Sequence, residues 1–291
     1  MIGLWQRAAR SLRQRLSPPL RVYLYHRVGP HAPAEDPLRL RIDPGLFENH
    51  LRWFKKNRRL HFADDYAADL GARTALDIAI TFDDGYGDNF EHAFPLLLKY
   101  EVPATIFIAT AFVESGEPPW WDQLLELSRR PGWPADASFP EAARMLKALG
   151  TRERELLLEA RFGRPREGLD AAFRAAHRPL SSAEMVKMRD SGLVRFEPHS
   201  HSHTNMAVLT EAGAREEIKR SQDFLERYLG RRGRVFAYPY GAPTDKNERT
   251  PDLLREAGLV AAYLAWGRAN TRCTDRYHLD RIQLRERLPE V

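Results

Sequence analysis

The chain has 291 residues, 43% hydrophobic and 29% charged, enough to bury a full core and too long for a small disulfide-stapled module. Its one cysteine, Cys273, excludes an internal disulfide and a multi-thiolate zinc site, so any metal must be held by His, Asp or Glu. The formal charge of +5 sits in residues 1–21, where Arg7, Arg10, Arg13, Arg15 and Arg21 stand without an acid; the rest balances at 40 basic against 40 acidic residues, with no basic stripe or stacking platform to suggest a nucleic-acid partner.

No window approaches 18 consecutive apolar residues, and the N-terminus lacks the apolar core and small-residue cleavage site of a signal peptide, so a cytoplasmic protein is expected. Leu4, Ala8, Leu12 and Leu16 recur every fourth residue among the arginines, which predicts a short basic amphipathic helix ended by Ser17-Pro18-Pro19. Such a helix suits either the inner, anionic face of a membrane or packing of its leucines on its own domain. The domain proper is expected over 22–291.

Val22 to Val28 reads as a strand closed by Gly29-Pro30, and Leu46, Phe47, His50, Leu51 and Phe54 follow at helical spacing. Ile78 to Phe82 is a near-continuous apolar run, as expected of a strand buried on both faces, and it stops at Asp83-Asp84-Gly85. A helix over 90–100 and a second buried strand over 104–110 come next. Seven prolines and three tryptophans then mark residues 116–180, among them Pro118, Pro119, Trp120 and Trp121, as a helical insertion or lid. The alternation resumes with helix 181–190, strand 193–197, helix 211–229 ended by Gly230, strand 234–238, helix 250–257 and strand 259–265. Repeated βα units predict an α/β fold with a parallel sheet, and the count suits a distorted (β/α) barrel of about seven strands.

Three clusters could carry chemistry. Asp83 and Asp84 stand at the carboxyl end of a buried strand, where barrel active sites are built, and neighbouring acids point different ways, so one can hold a cation while the other reaches a water. Alone, Asp-Asp-Gly would be a plain turn. His199-Ser200-His201-Ser202-His203 puts three of the ten histidines into five residues after another strand. If that segment is helical, His199 and His203 share a face; if it is extended, all three histidines line one side. Phe236 to Gly241 runs a strand into a Pro-Tyr-Gly turn able to aim a backbone N–H outward.

Together, Thr81-Phe82-Asp83-Asp84-Gly85, His199-Ser200-x-x-His203 and Tyr238-Pro239-Tyr240-Gly241 resemble the first three motifs of the polysaccharide deacetylase family, the carbohydrate esterase 4 group with the NodB homology domain. Tyr25-His26-Arg27-Val28, Trp120-Trp121-Asp122 and Leu279-Asp280-Arg281-Ile282 extend the likeness over roughly residues 22–284. It implies a NodB-like barrel and metal-dependent removal of acetyl from an N-acetylated glycan or glycan precursor. Asp84, His199 and His203 would be the metal ligands, Asp83 the general base, and Tyr240 the source of an N–H for the oxyanion. His201 is left over. One divalent ion is implied, zinc by default, although two histidines and a carboxylate also admit cobalt, nickel or iron.

Two departures from the family pattern stand out. The third motif carries Ala237 where members often have an arginine that pairs with the base; Arg281 is the candidate replacement, against the alternative of a surface arginine. The late Leu-x-His that supplies the general acid is absent, but Leu24-Tyr25-His26 fits it on the first strand, as in exopolysaccharide deacetylases that resemble a circular permutation of the others. His26 is therefore the expected acid, provided that the first and last strands are neighbours and His26 is not simply a core histidine. Hydrolysis of another non-peptide amide, and glycan binding without catalysis, are the rival readings.

Overall fold

A computed structural model describes residues 19–30, 36–163 and 169–285; the basic helix expected at 4–16 lies outside them. The strands are β1 (Arg21–Tyr25), β2 (Arg27–Val28), β3 (Arg41–Ile42), β4 (Arg59–His61), β5 (Asp77–Phe82), β6 (Ala104–Ile108), β7 (Val194–Pro198), β8 (Val235–Ala237), β9 (Ala261–Tyr263) and β10 (Ile282–Gln283). Between them lie α1 (Pro44–Asn57), α2 (Ala63–Ala68), α3 (Phe94–Tyr100), α4 (Thr110–Ser115), α5 (Trp120–Leu127), α6 (Phe139–Lys147), α7 (Thr151–Phe162), α8 (Ala171–His177), α9 (Ser182–Asp190), α10 (Glu211–Leu229) and α11 (Thr250–Glu256). Every strand pair is parallel, as βα crossovers require.

The strands form a distorted α/β barrel whose ring is not closed by backbone ladders throughout. One sheet runs β10-β1-β5-β6-β7, with β4 beside the start of β5, and β8-β9 is a second, short pair. Leu279 joins β9 to the last strand, its N–H and C=O bonding Ala262 O and Leu264 N at 3.1 and 2.7 Å. Tyr23 of β1 pairs with Ile282 of β10, so the first and last strands are indeed neighbours. The remaining gap lies between β7 and β8, and side chains stitch it. The Glu197 carboxylate accepts the Arg234 and Val235 N–H groups at 2.6 and 3.0 Å, and Arg231 donates to its other oxygen at 2.8 Å. Burial pushes the Glu197 carboxyl up to about 7, against the lowering effect of Arg231.

Strand alternation sorts the core into two layers. Tyr23, Tyr25, Ile78, Ile80, Phe82, Ile106 and Phe196 face the helices, packing with Phe47, Leu51 and Phe54 of α1 and Met185 and Met188 of α9. Val22, Ala79, Phe107, Val235, Ala237, Ala261, Tyr263 and Leu279 fill the inside of the ring. The helices stop where their chemistry predicts: Thr210 caps α10 through the Gly213 N–H and Gly230 ends it at φ +70°, while Ser181 and Glu184 form the capping box of α9. The expected strand 22–28 is interrupted at His26, whose carbonyl accepts from Asn89 Nδ2 at 2.8 Å.

Candidate active site

The predicted site residues converge at one end of the ring. Asp83 and Asp84 leave β5, His199 to His203 leave β7, Tyr240 follows β8, and His26 follows β1. Arg281 precedes β10 at the level of Val22 and sends its side chain up the inside of the barrel, over the Phe107 ring, to Asp83.

Asp84, His199 and His203 are buried, and one ligand atom from each lies within 4.8 Å of the others. His203 Nε2 stands 3.2 Å and His199 Nε2 3.6 Å from Asp84 Oδ1. His199 Nδ1 donates to Ala237 O at 2.8 Å, which fixes the tautomer and leaves Nε2 a lone pair. Burial pulls the His199 and His203 imidazoles down to about 4 and about 3, so both are neutral near pH 7, as ligands must be. Three such donors fit a divalent ion of the zinc type and leave coordination positions open. Two imidazoles and one carboxylate do not by themselves choose zinc over cobalt, nickel or iron.

The backbone reaches this arrangement through strain rather than through a helix. Neither the helical nor the extended reading of 199–203 holds: the segment is irregular, with Ser200 at φ +62° and His203 at φ +53°. Asp84 and Tyr240 are also left-handed, at +70° and +65°, so four of the six non-glycine residues of positive φ among those described lie in this site. Gly241, at φ +76°, allows the third-motif turn, since a Cβ there would sit 2.5 Å from Ala265 Cβ. His201 is turned away: its Nδ1 lies 2.8 Å from Thr110 Oγ1, at the start of α4.

Asp83 is gripped from one side. Arg281 Nη1 and Nη2 donate to its two oxygens at 2.6 and 2.7 Å, while Arg281 Nε donates to Leu264 O at 2.9 Å. Arg281 is wholly buried, so the surface alternative fails. Burial alone would raise the Asp83 carboxyl; Arg281, with His199, outweighs it and holds the group below its ordinary value. Burial prevails for Asp84, raising it against the pull of His26 and His199.

His26 continues the inward parity of Val22. Burial lowers its pKa, with Asp84 and Asp83 opposing, and its buried Nδ1 has no hydrogen-bond partner among the described residues. The alternative His278 instead sits 3.2 Å from Asp275, on a turn before the last strand. The Tyr240 N–H likewise donates to no acceptor among the described residues. Its ring meets His203 edge-on at 4.6 Å, and its hydroxyl donates to His203 O at 3.2 Å.

Sequence reasoning missed the supports of this site. Glu217 of α10 accepts the His201 and Ser202 N–H groups at 2.9 and 2.7 Å and the Ser202 hydroxyl at 2.6 Å, anchoring the strained loop. Its place beside the buried stripe Ala214, Ile218 and Ser221 was the available signal. A second buried network ties the barrel to the helices after β6: Arg27 binds Asp88 at 2.7 Å, and Asp122 bridges His177 at 3.2 Å and the Tyr86 hydroxyl at 2.7 Å.

The family model described as polysaccharide deacetylase matches residues 71–262. Over 252 residues the chain is 22% identical to the poly-beta-1,6-N-acetyl-D-glucosamine N-deacetylase of Staphylococcus aureus, covering 83% of this chain and 67% of that protein. Among solved structures, the deacetylase PplD of Streptococcus pyogenes in complex with acetate aligns with a TM-score of 0.64 at 18% identity, over 92% of this chain and 93% of that one. IcaB from Ammonifex degensii aligns at 0.60 and 21% identity, over 92% and 93%. Identities this low bear on the fold alone, whereas the family model spans most of the barrel and both acid-bearing and histidine-bearing loops: the chain belongs to the polysaccharide deacetylase family.

Proposed function

We propose that the chain hydrolyses the N-acetyl group of a sugar within a glycan, with a bound divalent ion. The observation that carries this reading is the pairing of an ionised, arginine-held Asp83 with the donor set of the Asp84 carboxylate and the neutral His199 and His203 imidazoles, His199 Nε2 standing 3.8 Å from Asp83 Oδ2. The Staphylococcus aureus relative, named for a β-1,6-linked N-acetylglucosamine polymer, supports a substrate of that class.

An ion held by Asp84, His199 and His203 would supply Lewis-acid polarisation of the acetyl carbonyl and a more acidic water. Asp83 takes the proton of the attacking water; the Arg281 fork keeps the carboxylate charged and aimed. The Tyr240 N–H is set to donate to the tetrahedral oxyanion. His26 gives a proton to the departing amine, and its lowered pKa makes the protonated ring a strong donor. Acetate and a free amino sugar leave in equal amounts.

The test supplies the purified enzyme with zinc, cobalt, nickel or iron, one at a time, and measures acetate and free amine from a panel of N-acetylated glycans. Matched release that disappears with chelation supports the proposal. Release only from non-sugar amides, or glycan binding without release, would overturn it.

A further inference from the structure

A cavity of about 600 Å³ lies among α4, α5 and α7, beside the loop that carries the histidines. Phe112, Trp120 and Leu158 give it apolar walls, and Thr151, Ser202 and Arg154 supply polar surface. Its volume falls in the range of small-molecule sites, about 300–1,000 Å³.

Arg154 is the informative residue. It is 3% exposed, and its Nη2 donates to Ser202 O at 3.3 Å, yet Nε and Nη1 have no hydrogen-bond partner among the described residues. Its guanidinium lies 5.2 Å from the Trp120 ring centre. A buried cation with unused donors is costly unless an acceptor completes it. Glu155 and Glu159, one turn apart on α7, line the same cavity and are exposed. Their charge at the rim disfavours an anion and leaves a neutral acceptor as the better match.

The cavity adjoins the site. Phe112 lies 6.3 Å from the His203 ring, and Trp120 packs edge-on at 5.5 Å against Trp121, itself 4.7 Å from His203. We propose that this cavity is a subsite for a neutral, still N-acetylated sugar residue next to the one being deacetylated, its acetamido oxygen accepting from Arg154 and its ring resting on Trp120. The inference rests on the deacetylase reading above and adds to it a preference: the enzyme favours stretches of glycan whose neighbouring acetyl group is intact on that side.

The test compares kcat/KM for acetate release from an N-acetylated tetrasaccharide with that from tetrasaccharides lacking the acetyl group on one residue beside the reacting one. The wild-type enzyme should favour the intact neighbour by about tenfold or more, the worth of one hydrogen bond to a charged group. Arg154→Met keeps the aliphatic stem and should erase that preference. Ser115→Trp fills the cavity from its exposed edge without disturbing buried groups, and should erase it too, which decides the matter if Arg154→Met does not fold. Acetate release with a preference that neither variant changes would overturn the subsite while leaving the deacetylase reading intact. Stronger activity on a tetrasaccharide carrying a carboxylate neighbour would replace the neutral ligand by an anion. No acetate from any glycan would remove both readings.

Discussion

Arg281→Met isolates the contact on which the proposed chemistry turns. The substitution keeps a long apolar stem inside the barrel but deletes two short hydrogen bonds to Asp83 and leaves Leu264 O without its donor. Both partners are buried, so the loss is that of breaking a buried ion pair, about 3–5 kcal/mol. The cost should depend on pH in a definite sense. In the wild-type protein Asp83 has a depressed pKa, and its contribution to stability is present above the unfolded carboxylate value and lost as pH falls through the folded one. In the variant, burial without the guanidinium raises the folded value, so the penalty exists where the group is ionised and fades as it takes up a proton. The gap between the two proteins must therefore be wide at about pH 8 and narrow at about pH 5. Urea unfolding of both metal-free proteins at the two pH values measures it, and the acidic limb of the pH–rate profile should move upward in parallel. A gap below about 1 kcal/mol, as for a surface pair, or one equal at both pH values, would refute the reasoning.

Asp83→Asn should bind metal near-normally yet lower turnover by roughly two orders of magnitude or more, since an amide cannot accept the proton; metal analysis beside acetate release checks it. His203→Ala should abolish tight metal binding, whereas His201→Ala should leave about one ion per chain, because His201 faces Thr110. His26→Ala should lower kcat with little change in metal content and remove the alkaline limb of the profile. In the wild-type enzyme that limb should begin below the ordinary imidazole range, because the proton is lost as pH rises through a value that burial has lowered. Glu217→Ala strips the acceptor from three donors of the histidine loop and should cost about 1–3 kcal/mol in urea unfolding, with metal affinity falling as well.

Much of the site was readable because strands buried on both faces write themselves as apolar runs. The run ending at Phe82 locates Asp83 and Asp84, and Thr210 and Gly230 bound α10 at both ends. What sequence could not show was direction. A pentapeptide with alternating histidines is compatible with helix or strand, and only the left-handed turns at Ser200 and His203, held by Glu217 and Tyr240, decide which imidazoles meet Asp84. Glu197 shows the same limit. It reads as one acid before a proline, yet it carries the bonds that span β7 and β8 where no backbone ladder does.

The amino-acid order by itself determined the βα alternation, the three motifs and the residue types able to hold a cation and move a proton, because periodicity, capping and donor chemistry are local properties. It also pointed to Arg281 and His26 as substitutes for missing family residues. Only the tertiary structure decided that Arg281 reaches Asp83 across 198 positions of chain, that His26 has inward parity, and that Arg154 is buried beside a cavity with donors to spare. Those facts depend on strand register and on which long side chain fills the ring. Register is set by the packing of distant segments against one another, and no window of the chain contains it.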